Sequence, residues 1–233
     1  MQNSLYVPVA QLDRASDSDS EGRAFESHRV RQKEKATCFN KSLWVTERRV
    51  FVKVNYLKNA IGHFNTVSRH RRAVMRHCFR AGIFWQGVRH DLSKYSPTEF
   101  IQGVKYYLGT RSPNEAERNV HGYSSAWLHH KGRNKHHFEY WTDYNPIEKK
   151  VMPVKMPVRY VAEMFCDRVA ASKIYQGKNY KESHPYEYFM NAKSRRVIHP
   201  ETSDLLEGWL LMLKEKGEKE TLRHIKNTIK TGY

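Results

Sequence analysis

Cysteine is scarce: only Cys38, Cys78 and Cys166 occur in 233 residues. They are isolated and odd in number, which argues against a disulfide framework or a zinc ribbon and fits a reducing, cytoplasmic setting. No apolar run approaches the roughly 18–20 residues that span a bilayer. The N-terminus also lacks the apolar segment of a secretion signal, so no membrane partner is expected. There is no glycine-rich phosphate loop, no internal repeat and no convincing period-two alternation. Acidic residues are few, 24 against 41 Lys and Arg, for a net charge of +17. That imbalance favours anionic partners such as nucleic acids, nucleotides or phosphorylated metabolites; a generally basic, solvated surface is the alternative.

What is present is enough for one core, with 39% hydrophobic and 12% aromatic residues. Residues 1–50 differ from the rest. Asp17-Ser18-Asp19-Ser20-Glu21-Gly22-Arg23 is small, polar and aperiodic, so a disordered extension is expected. The stretch VAQLDRASDSDSEGRAFESHR is similar to segments produced when bacterial gene models read through a neighbouring tRNA gene. That resemblance implies a native start near Val52 or Val54 from a non-AUG codon, as no Met lies between 1 and 75. Residues 1–49 hold nine Lys/Arg and seven Asp/Glu, so the remainder keeps +15.

From Tyr56 the period is helical: Leu57, Ile61, Phe64, Val67, Val74 and Phe79 recur at three- and four-residue steps up to Gly82. A second helix is expected from Ile83 to about Ser93. Ser96-Pro97-Thr98-Glu99 reads as a capping box with Pro at the first helical position, and Ser112-Pro113-Asn114-Glu115 repeats it. Further helices are expected near Ser124–His130, over Val158–Tyr175, and over Glu201–Lys216 and Glu218–Lys230 on either side of Gly217. Irregular loops fill the rest, including the stretch up to Pro200. The class is all-α, one domain over 51–233.

Thirteen histidines are the most informative excess. His90-Asp91 sets an imidazole beside a carboxylate, ligands of intermediate hardness suited to Mn, Fe, Zn or Mg. Neighbours on a helix diverge by about 100°, so such a pair needs a metal at a helix end or a bridging arrangement. His63, His70 and His77 are spaced by seven and share an inward face with Val67 and Val74; His70 is the first choice as a ligand, with His63 as its competitor. His129, His130, His136 and His137 are interleaved with Lys131, Arg133, Asn134 and Lys135, which offers ligands for a second metal together with phosphate-binding cations. Asp167 falls on an inward stripe with Tyr160, Met164, Ala171 and Ile174; a carboxylate there needs a metal or a partner, and Arg168 and Lys173 are the alternative partners. One or two divalent ions are therefore expected.

The order His, His-Asp, histidine cluster, Asp resembles the HD-domain superfamily of metal-dependent phosphohydrolases, over residues 60–175 as a pattern. The resemblance implies a compact all-helical domain of HD type with ligands His70, His90, Asp91 and Asp167. It also implies a second metal on the later histidines and a role for Lys94, which matches the Lys often found three residues after the Asp. HDLSKYSPTEF, AWLHHKGRNKHHFEYW and EMFCDRVAASKIY are also similar to an uncharacterised bacterial and phage domain family of unknown function. That likeness runs over nearly all of residues 56–230 and implies no activity.

The expectation is a metal-dependent phosphohydrolase acting on a nucleotide or other phosphorylated substrate. Lys94, Lys131 and Arg133 would offset charge and Asp91 or Glu99 would relay a proton, with Asn134 and Arg168 as further substrate contacts. The alternatives are a di-iron oxygenase on the same fold, or a basic helical module that binds nucleic acid without catalysis. The two C-terminal amphipathic helices offer a surface for a second copy of the chain.

Overall fold

The computed structural model describes residues 55–231; the expected N-terminal extension and its start site lie outside these. Helix α1 (Tyr56–Arg80) begins at Asn55, whose side chain accepts from Lys58 N at 3.0 Å. It stops where Gly82 takes φ +80°. Its buried stripe is His63, Val67, His70, Val74, His77 and Cys78, the expected histidine face, whereas Leu57, Ile61, Phe64 and Phe79 of the apolar period are exposed. Helix α2 (Phe84–Arg89) packs on it through Gly87, where an added Cβ would lie 2.6 Å from Cys78 Cβ. The expectation of one helix through Ser93 is corrected. α2 ends at Arg89, Asp91 takes a left-handed conformation with φ +52°, and a 3-10 turn follows over Leu92–Tyr95.

Helices α3 (Pro97–Lys105), α4 (Pro113–His121) and α5 (Ser125–Lys131) follow as expected, α3 and α4 with Pro in the first turn. Ser112 does cap α4, accepting from Asn114 N at 3.3 Å. The capping box at α3 does not form. Ser96 Oγ is buried without a partner, Ser96 N donates to Ser93 O at 2.8 Å, and the Glu99 side chain that would take that N–H faces two histidines instead.

Strands β1 (Thr142–Asn145) and β2 (Lys150–Pro153) pair antiparallel, Thr142 opposite Pro153. This hairpin was not expected. Its strands are short and largely exposed, so there is no buried face to impose alternation. Helix α6 (Val158–Gln176) is buried continuously from Val161 to Ala171, as a central helix should be. Around it pack α1, α7 (His184–Ala192) and α8 (Pro200–Thr231). α7 replaces an expected loop: it is two turns long and buries only Pro185, Phe189 and Ala192, too few positions to read as a period. α8 is broken at Gly217 (φ 79°, ψ 167°), where two helices were expected.

The core joins Val74, Phe165, Val169, Phe189, Leu206, Trp209, Leu210 and Ile225. Cys78 and Cys166 are buried free thiols. Among the described residues no helix is long and apolar enough to cross a membrane.

Candidate metal centre

The His-Asp pair sits in the break after α2, and the break is held from α1. Arg71 donates from Nε to His90 O at 2.7 Å and from Nη2 to Val88 O at 2.8 Å, satisfying carbonyls that the helix end leaves open. Lys94, carried round by the 3-10 turn, reaches back to Asp91 Oδ2 at 3.1 Å. An αL backbone, tolerated by Asp, thus lets two sequence neighbours face the same point.

Two clusters meet at Asp91. In the first, His70 (α1), His90, Asp91 and Asp167 (α6) are buried with their ligand atoms within 4.8 Å of one another. His70 Nε2 lies 2.9 Å from Asp167 Oδ1, 3.4 Å from His90 Nε2 and 3.8 Å from Asp91 Oδ2. His90 Nε2 lies 3.3 Å from Asp91 Oδ2 and 3.5 Å from Asp167 Oδ1. Donors held at about 2.0–2.2 Å by one ion stand roughly 3–4 Å apart, so these spacings fit an ion. In the second cluster Asp91 joins His130, His136 and His137. Its other oxygen, Oδ1, faces His130 Nε2 at 3.3 Å and His136 Nε2 at 3.5 Å. Each oxygen of Asp91 therefore serves one cluster.

The donor set itself tests for a metal. Asp91 Oδ1, His136 Nε2 and His137 Nε2 are all buried and accept or donate no hydrogen bond. Buried polar atoms are normally paired, and three orphans turned on one point are what a cation would satisfy.

An outer layer fixes the rings. Glu163, one turn before Asp167, faces both His90 Nδ1 (3.0 Å) and His136 Nδ1 (3.2 Å) with Oε1. Gln86 Nε2 donates to its Oε2 at 3.0 Å, and Arg159 Nε donates to Gln86 Oε1 at 2.7 Å. Glu99 does the same for the loop histidines, facing His130 Nδ1 at 2.8 Å and His129 Nδ1 at 2.7 Å. Asn134 donates to His130 O and to Ser93 Oγ, both at 2.8 Å. A carboxylate on Nδ1 leaves Nε2 as the nitrogen with the lone pair, the usual arrangement around metal-bound histidine.

Electrostatics show how much positive charge the site calls for. Burial favours the neutral form of Asp91, but His90, Lys94 and His130 outweigh it and hold the carboxyl well below its ordinary value. Burial opposes ionisation of Asp167 as well, and hydrogen bonds from His70 and His90 override it. Glu163 falls to about 2 despite burial, through His136 and His90. Against their own burial, His90 is raised well above the usual imidazole value by Asp91, Asp167 and Glu163, and His130 is raised to about 9 by Asp91 and Glu99. His137 goes the other way: burial, then the neighbouring His136 and His130, keep it neutral. Protons on the histidines neutralise the carboxylates here, and a divalent cation would do so in their place.

The remaining candidates fall elsewhere. His63 lies outside both clusters, packed between Phe100 and Tyr107 with ring centroids at 5.3 and 6.0 Å. Gly103 makes room for it, since a Cβ there would meet His63 Nε2 at 2.1 Å. His77 faces Glu218 at 3.4 Å and Lys173 at 3.3 Å. His129 bonds Glu99 and belongs to neither cluster. Glu99 orients rings rather than meeting the paired donors directly. Arg133 is exposed, its Nη1 on His129 O, and Asn134 is a buried positioning residue. Lys131 is half-buried at the end of α5. Arg168 is buried over the Phe189 ring (5.9 Å) with Nη2 directed at Met164 Sδ, away from the side of α6 that carries Asp167.

Glu163, Gln86 and Arg71 had no role assigned from sequence; the only signal for Glu163 was its position one turn before Asp167. No curated protein and no solved structure matches the chain. A family of unknown function (DUF5662) matches residues 59–212, and the chain belongs to that family.

Proposed function

We propose that this chain is a metal-dependent phosphohydrolase of HD-domain type, whose centre would hold two ions with Asp91 contributing to both sites. The observation that carries the reading is the split of the Asp91 carboxylate, Oδ2 toward His70 and His90 and Oδ1 toward His130 and His136. One ion would be held by His70, His90, Asp91 and Asp167, the other by Asp91, His130, His136 and His137. When bound, such ions act as Lewis acids on a phosphoryl oxygen and make water a better nucleophile. The chain's own residues supply the rest. Lys94, against Asp91 and in the wall of the adjoining pocket, places a cation where negative charge grows on a transferring phosphoryl group. Glu163 and Glu99 keep four imidazoles oriented. Carboxylate and imidazole donors of this mixture suit Mn, Fe, Zn or Mg.

The test is phosphate release from a panel of phosphate esters and nucleotides by protein loaded with Mn, Co, Fe or Mg. Turnover lost in Asp91→Ala and His70→Ala is expected; no turnover under any metal would sink the reading.

A second reading has its own support. Residues 55–90 hold one Lys and six Arg and no acidic residue, and Phe79 and Trp85 are about two-thirds exposed beside them. That combination suits single-stranded nucleic acid through phosphate contacts and stacking. It predicts binding that falls steeply with salt and survives Asp91→Ala.

A further inference from the structure

One pocket adjoins the metal centre and extends beyond it. His70, Lys94 and Glu99 wall it from the centre, and Tyr107, Arg111 and Asn114 wall it from the connection between α3 and α4. Arg111 is the unusual member. Its side chain is only 21% exposed, and its one ion-pair partner among the described residues, Glu115, stands 3.6 Å away, beyond hydrogen-bond distance. A half-buried guanidinium holds five N–H donors in a planar fork, and here they open on the pocket rather than on a protein acceptor within hydrogen-bond distance among the described residues. Glu115 offsets part of the charge without taking the donors. A planar anion is the ligand such a fork fits, because carboxylate and phosphate oxygens accept two parallel N–H bonds.

We propose that Arg111, helped by Asn114, receives a second anionic group of the substrate. The substrate is then a small metabolite carrying a phosphate ester at the metal end and a second phosphate or a carboxylate at Arg111. This rests on the phosphohydrolase reading. In that reaction water oxygen bonds to phosphorus, the ester P–O bond breaks, and the leaving oxygen takes a proton, giving an alcohol and inorganic phosphate. Arg111 makes no bond in this step; it fixes the far end of the substrate and so sets specificity. Lys94 cannot substitute for it, since its ammonium already lies on Asp91.

The experiment compares three probes on the metal-loaded full chain: glycerol phosphate with one anionic group, phosphoglycolate with an added carboxylate, and fructose 1,6-bisphosphate with an added phosphate. Wild type is expected to favour at least one doubly anionic probe over glycerol phosphate by ten-fold or more in kcat/KM. In Arg111→Met that preference should collapse through KM, with metal content unchanged, and Arg111→Lys should keep part of it. Which of the two doubly anionic probes leads identifies the second group as carboxylate or phosphate. An equal preference in wild type and Arg111→Met, or no preference in wild type, would overturn the proposal. If no probe is hydrolysed, the phosphohydrolase reading is decided by the wider panel of esters and nucleotides, and calorimetric binding of phosphoglycolate and the bisphosphate decides the anion site. Binding that Arg111→Met weakens ten-fold supports it, and absence of binding overturns it.

Discussion

Replacing Glu163 by Gln should weaken both metal positions at once. Glu163 Oε1 faces His90 Nδ1 at 3.0 Å and His136 Nδ1 at 3.2 Å; the two rings join different clusters at Asp91, and with Glu163 they form a third group of possible ligands. The substitution keeps the shape but removes the charge that makes each ring a better ligand. It also disturbs the bond from Gln86, whose Nε2 meets Oε2 at 3.0 Å while its own Oε1 accepts from Arg159. Gln86 therefore cannot flip its amide without losing Arg159. Loss of such an outer partner typically costs about 10–100-fold in metal affinity, or about 1.4–2.8 kcal/mol. Here that loss should appear at each of two sites. Competition with a chromophoric chelator measures both affinities, and circular dichroism checks the fold. Unchanged affinities in a folded variant would refute the outer-layer role. A loss at one site only would refute its sharing between the clusters.

Three further outcomes follow from named residues. Metal binding near neutral pH should release protons, because His130, raised to about 9, must give up its proton to ligate. Calorimetry in buffers of different ionisation enthalpy reads this, with less release in His130→Ala. Glu218 is held well below its ordinary value of 4.5 by its hydrogen bond to His77, against burial, and by Lys173. A depressed carboxylate stabilises the fold above the ordinary value and loses that stabilisation as pH falls toward the depressed one. Glu218→Gln should therefore be less stable than wild type at neutral pH, with the gap closing below about pH 4.5 in denaturant titrations; a gap that does not depend on pH would contradict this. Gly103→Ala should cost about 1–3 kcal/mol by overpacking against His63. His63→Ala should relieve part of that cost, and metal stoichiometry should stay intact in both, since His63 lies outside both clusters.

Much of the centre was legible because its residues break local rules. Asp167 falls on an inward stripe with Tyr160, Met164, Ala171 and Ile174, where a carboxylate needs a partner, and His90-Asp91 sets an imidazole beside a carboxylate, although the break that lets both face one point did not show in the sequence. Spacing was a weaker guide. His63, His70 and His77 share one stripe by period, yet each meets a different neighbour, and only tertiary contacts with α3, α6 and α8 sort a pocket wall from a ligand and from an ion-pair member. The histidine-rich loop was informative in density, but the roles within it depend on which ring meets Glu99 and which meets Asp91. Glu163 was hidden for a simple reason: a Glu one turn from an Asp looks like any helix carboxylate until two imidazoles are brought to it from α2 and the loop. The helices with long apolar stripes were readable; the exposed hairpin and α7, which bury little, were not.

The central claim is that two ions share Asp91. Anomalous diffraction from crystals of Mn- or Fe-loaded protein tests it most directly. Two peaks are expected about 3.5–4 Å apart, one beside Asp91 Oδ2 among His70, His90 and Asp167, the other beside Oδ1 among His130, His136 and His137. A crystal grown in saturating metal with a single peak, or with no peak beside Asp91, would contradict it.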